Sequence, residues 1–203
     1  AFVDALDQAT YDQLLRELSG DAAIWQDGLP QTIATRYYNT AGNDVAAAYL
    51  AERLAGWGYA VELDVFTVNG HTCQNVVATK LGTTYPDEFV VLGGHYDSTS
   101  PQSGTLAPGC EDNGSGTTLV MELARASAGR QFERTVQFVL FDAEEVGLVG
   151  SSHFVDEAVA SGRRIVREGD RARLVPSPRG PERASRGRGR RRTPYASTRR
   201  RSS

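Results

Sequence analysis

Apolar positions along the chain fall into alternating helical and extended patterns. Between Asp4 and Ser19, the residues Leu6, Tyr11, Leu14, Leu15 and Leu18 recur at helical spacing, and Gly20 supplies a stop. Residues 21–42 carry no period. Asn43 reads as an N-cap to a second helix built on Val45, Tyr49, Leu50, Leu54 and Trp57, which ends at Gly56 to Gly58. Residues 60–68 alternate as a strand does, with Val61, Leu63 and Val65 expected inward and Glu62 and Asp64 outward. Asn75-Val76-Val77-Ala78-Thr79-Lys80 predicts a further strand, and Phe89-Val90-Val91-Leu92 one that is buried on both faces. The short link from Leu81 to Glu88 predicts that these two are antiparallel neighbours. A helix over 115–128, an apolar strand over Thr135–Phe141 and a helix over Gly147–Ser161 complete the series. Strands alternating with helices predict an α/β three-layer sandwich with a mixed, mostly parallel central sheet.

Composition adds a boundary. Of the 203 residues, those at 1–162 hold 7 Lys+Arg and 22 Asp+Glu, a net of -15; those at 163–203 hold 15 Arg and 3 acids, a net of +12; the sum is the chain's -3. The division expected is an N-terminal helical segment (1–34), a body (35–165) and an Arg-rich tail (166–203). The tail is predicted to be disordered or the product of a shifted reading frame, since Arg, Pro, Gly, Ala and Ser are the residues of GC-rich codons. The body is long enough to bury a sizeable core. No run of eighteen apolar residues occurs, so no membrane partner is expected. The chain opens at Ala1 without a charged n-region and apolar h-region, so a leader is expected to be absent or already removed. The expected adjacency of the Asn75 and Phe89 strands would bring Cys73 near His95, on the rim that also holds Cys110. A Cys73–Cys110 disulfide is therefore predicted, worth about 3–4 kcal/mol through loop closure.

Three stretches carry chemistry. The Phe89 strand ends in Gly93-Gly94-His95-Tyr96-Asp97-Ser98, which delivers His95 and Asp97 to a sheet edge, where α/β folds keep their ligand sites. Pro108-Gly109-Cys110-Glu111-Asp112-Asn113-Gly114-Ser115-Gly116 places Asp112 before a helix, where it reads equally as a cap or turn residue. Phe141-Asp142-Ala143-Glu144-Glu145-Val146-Gly147 runs a buried strand into adjacent glutamates, an expensive arrangement unless a cation or proton compensates it. Together they predict a metal site in which one glutamate binds and its neighbour handles a proton.

These motifs, with Ala143-Glu144-Glu145-Val146-Gly147-Leu148 followed by Gly150-Ser151, resemble the secreted bacterial leucyl aminopeptidases with two co-catalytic zinc ions. The resemblance runs from about Thr35 to Ile165, and it implies that residues 35–165 are the N-terminal two-thirds of a zinc aminopeptidase catalytic domain, a sandwich truncated in its C-terminal part. It implies that His95 binds one zinc, Asp112 bridges both, Glu145 binds the other, Glu144 is the general base and Asp97 orients His95. It also implies a cis peptide at Asp112–Asn113, peptide substrates with a free N-terminus, and a secreted or periplasmic protein. The family has one more aspartate and one more histidine as ligands, and this chain shows neither at the matching positions. His153 reads as a surface residue, His71 has no role, and activity of the chain as written is expected to be impaired. A glutaminyl-cyclase-like acyl transfer with a single zinc is the nearest alternative. A non-catalytic remnant whose tail binds polyanions is the other; nucleic acid is not the expected partner, and the sequence gives no oligomeric state.

Overall fold

The computed structural model describes residues 3–26 and 28–166. The expectation for the Arg-rich tail lies, beyond Val166, outside the described residues. Helix α1 (Gln8–Leu18) starts at Asp7, whose carboxylate accepts the amides of Ala9 and Thr10. A small antiparallel hairpin follows, β1 (Ile24–Gln26) with β2 (Leu29–Gln31), in a stretch that shows no period in sequence. Helix α2 (Ala41–Gly56) is capped by Thr40, not Asn43. Asn43 is buried instead, donating its amide to Arg36 O and to Asp142 Oδ1.

Then come β3 (Ala60–Val68), β4 (His71–Lys80), β5 (Tyr85–His95), α3 (Gly116–Ser127), β6 (Arg134–Phe141), α4 (Val149–Ala160) and β7 (Arg164–Ile165). The sheet order is β3-β4-β6-β5-β7. It is mixed: β3–β4 and β4–β6 are antiparallel, while β5–β6 and β5–β7 are parallel. The expected β4–β5 adjacency is corrected, because β6 lies between them. Thr135 to Leu140 are all buried, which suits a central strand covered on both faces.

Period two along the strands sorts residues to the two faces. Val76, Ala78, Val136, Phe138 and Leu140 pack with Leu14, Leu18, Leu50, Leu54, Met121 and Ala124 of α1, α2 and α3. Val77 and Val139 pack against Phe154 of α4 on the opposite face. The three-layer expectation therefore holds. On β3 the expected facing changes. Leu63 and Val65 are exposed, while Asp64 is half-buried and Phe66 and Val68 are buried, because α4 covers that side. No helix among the described residues is long and apolar enough to cross a membrane.

Candidate metal centre

The parallel pair β5–β6 ends with His95 opposite Phe141, so both strands release their next residues at the same sheet edge. Gly94 lets α3 approach. A β-carbon there would press on the Gly116–Thr117 backbone, and Thr117 Oγ1 donates to His95 O at 2.6 Å. His95 is thus fixed from behind with its ring 11% exposed.

The Asp112 loop is set by Arg36. This guanidinium is wholly buried and donates to Tyr96 O at 2.5 Å, Pro108 O at 2.7 Å, Gly109 O at 2.9 Å and also to Leu18 O. Burial lowers its pKa to about 10, partly opposed by Asp97. Gly109 has φ of 47°, and the Asp112–Asn113 peptide is cis, as the resemblance implied. Asp112 Oδ1 ends 3.1 Å from His95 Nε2, with a side chain 78% exposed.

Asp97 joins the third motif to the first. Its carboxylate is fully buried and accepts the amides of Glu144 at 3.0 Å and Glu145 at 3.1 Å. Its Oδ1 also lies 3.3 Å from His95 Nδ1, close enough for charge interaction although Nδ1 makes no well-aligned hydrogen bond. Ala143, buried with φ of 56°, turns the chain so that both glutamates follow at once. Glu144 Oε2 stands 3.8 Å from His95 Nε2.

One ligand atom from each of His95, Asp112 and Glu145 lies within 4.8 Å of the others. Burial pushes the Glu145 carboxyl up, and Asp112 and Asp97 add to it. Burial lowers the affinity of His95 for a proton, but Asp97, Glu144 and Asp112 outweigh it and the net shift is upward. Carboxylates crowded around the Nε2 edge of an imidazole, whose Nδ1 faces Asp97, form a donor set that fits zinc.

Other expected residues fall elsewhere. Cys73 and Cys110 are free thiols, one buried on β4 and one exposed, so the predicted disulfide is corrected. Its premise was strand adjacency, and β6 removes that. Burial, with Asp142 adding, raises the Cys73 thiol to about 12. His71 lies edge-on to Tyr38. His153 is not a bystander on the surface: its Nε2 is 2.9 Å from Asp64 Oδ1 and its ring packs on Phe66. The supports Arg36, Asn43, Asn75 and Asp142 stand behind the site without a catalytic motif to announce their roles. One signal could have found Asn75, a polar amide opening an otherwise apolar strand.

Residues 75–168 match the sequence model of Peptidase family M28. The chain is 39% identical over 98 residues to Aminopeptidase YwaD of Bacillus subtilis, covering 47% of this chain and 20% of that protein. It is 34% identical over 128 residues to Leupeptin-inactivating enzyme 1 of Streptomyces exfoliatus, covering 62% and 28%. The chain thus spans less than a third of the length of either relative. Among solved structures, LapB of Legionella pneumophila superposes with a TM-score of 0.67 at 21% identity, over 81% of this chain and 42% of that one. The zinc aminopeptidase BSAP of Bacillus subtilis gives 0.62 at 16%, over 73% and 64%. A glutaminyl cyclase of Fimbriiglobus ruber gives 0.62 at 23%, over 79% and 59%. The stretch that matches Peptidase family M28, residues 75–168, takes in His95, Asp112, Glu144 and Glu145.

Proposed function

We propose that this chain carries part of the catalytic centre of a zinc-dependent aminopeptidase that hydrolyses the first peptide bond of peptides with a free N-terminus. The convergence of His95, Asp112 and Glu145, with Glu144 beside them, is the observation that carries the reading. In a two-zinc arrangement His95 and Glu145 would each hold one ion and Asp112 would be shared. Bound zinc supplies Lewis acidity at the scissile carbonyl and makes water a better nucleophile near neutral pH.

The remaining work belongs to the chain. Glu144 Oε2 takes a proton from the attacking water and returns it to the leaving nitrogen as the C–N bond breaks, leaving a free amino acid and a shortened peptide. Asp97 steadies His95 and the two glutamate amides together. The cluster of carboxylates suits a cationic N-terminal amine. Among the described residues His95, Asp112 and Glu145 are the ligands that converge, fewer than three for each of two ions, so weak zinc binding and impaired turnover of the chain as written belong to the same proposal. Export from the cytoplasm belongs to the same proposal.

The test is to load the protein with zinc and supply leucyl-anilide and, separately, a peptide with N-terminal glutamine. Release of the anilide amine above a zinc-free control, however slow, supports the reading. Ring closure of the glutamine without anilide hydrolysis would replace it with a cyclase.

A further inference from the structure

Asn75 sits wholly buried on the α4 side of the sheet, at a place where its β4 neighbour Val77 meets Phe154. A buried amide persists there only if its hydrogen bonds are made. Two of its three partners are the two ends of one segment. Asn75 Oδ1 accepts the amide of Asp142 at 3.1 Å, and Nδ2 donates to Gly150 O at 2.9 Å. Gly150 N in turn donates to Asp142 O at 3.1 Å, which closes the segment into a ring. The close fit explains Gly150, since a β-carbon would run into Asn75 Oδ1 and Asp142 O. Within this ring lie Glu144 and Glu145.

The third partner extends the support outward. Nδ2 also donates to Asp64 Oδ2 at 2.9 Å, directly across the β3–β4 register. The other Asp64 oxygen meets His153 Nε2 at 2.9 Å, three residues beyond Gly150 on α4. Helix α4 is therefore tied to the sheet at residue 150 through Asn75 and at residue 153 through Asp64.

We propose that Asn75 is a positioning residue for the Glu144–Glu145 pair, closing the base of the 142–150 segment, and that the Asp64–His153 contact holds Asn75 in its working orientation. The consequence for metal affinity rests on the zinc reading above. The consequence for the segment's rigidity does not.

The experiment compares amide hydrogen exchange and zinc affinity in the whole chain for wild type, Asn75→Ala, His153→Ala and His153→Gln. Asn75→Ala is expected to speed exchange at Glu144 and Glu145 by about tenfold or more while α2 amides keep their wild-type protection, and to weaken zinc binding about 10–100-fold, the range for groups that support metal ligands. His153→Ala is expected to act in the same direction by several-fold, with recovery in His153→Gln, whose amide can still donate to Asp64. If Asn75→Ala does not fold, the half-exposed His153 pair decides the matter. Exchange unchanged over 142–150, or raised equally along the whole chain, overturns the proposal. Wild type that binds no zinc while the local exchange pattern holds refutes the zinc reading and leaves the positioning role standing.

Discussion

Asp142 shows what burial does to one carboxylate beside the site. It is fully buried, and desolvation pushes its pKa to about 6, against the donors Asn43 Nδ2 and the amides of Gln74 and Ala143. Its unfolded value is 3.8, so the folded state holds more protons between about 4 and 6. The stability this group contributes is full below the unfolded value and is lost as pH rises through 6, on the order of 2–3 kcal/mol. Urea unfolding of wild type and Asp142→Asn should show the variant gaining on wild type as pH rises from 4 to 7; parallel curves would contradict the assignment. Arg36 is the second residue with a defined cost. Arg36→Met would leave the carbonyls of Leu18, Tyr96 and Pro108 without this donor, while Gly109 O keeps the amide of Gly114. At roughly 1–3 kcal/mol for a buried unsatisfied group, unfolding free energy should fall by at least about 3 kcal/mol. Arg36→Lys should fall between, since it keeps the charge and loses the fork.

At the scale of elements, the chain order and type of every predicted helix and strand were legible, because periods of 3.6 and 2 are set by which face meets the core. Strand adjacency was not. Only four residues, Leu81 to Thr84, separate β4 from β5, yet β6 sits between them. Such a link reaches about 13 Å, and stepping over one strand needs only about 10 Å. A short link therefore limits distance without fixing neighbours; Thr83 and Thr84 use it to donate to Phe132 O and Glu133 O as they pass the start of β6. The same gap in the sequence signal undid the Cys73–Cys110 pairing. The facing of Asp64 was missed for another reason: its partners His153 and Asn75 lie far along the chain or across a strand, beyond any local period. The central place of β6 sets the expected effect of truncating it. Phe138, 1% exposed and edge-on to Tyr59, should cost about 3–5 kcal/mol on change to Ala, read from the urea midpoint.

For the molecule as a whole, the three sequence motifs with chemical promise do meet, because parallel β5 and β6 end together and the loop before α3 is drawn over them by Arg36. What the motifs could not announce is the scaffold behind them, where Asn43, Asn75, Asp97 and Arg36 satisfy backbone groups contributed by distant segments. The central claim is that His95, Asp112 and Glu145 hold zinc while Glu144 is reserved for the proton. Zinc affinity, measured by competition with a chromophoric chelator, separates these roles across His95→Ala, Asp112→Ala, Glu145→Ala and Glu144→Gln. The account predicts that the first three lose zinc by about 100-fold or more, each removing a ligand, while Glu144→Gln binds within a few-fold of wild type. Equal loss in Glu144→Gln, or zinc binding untouched by removal of His95, Asp112 or Glu145, would contradict it.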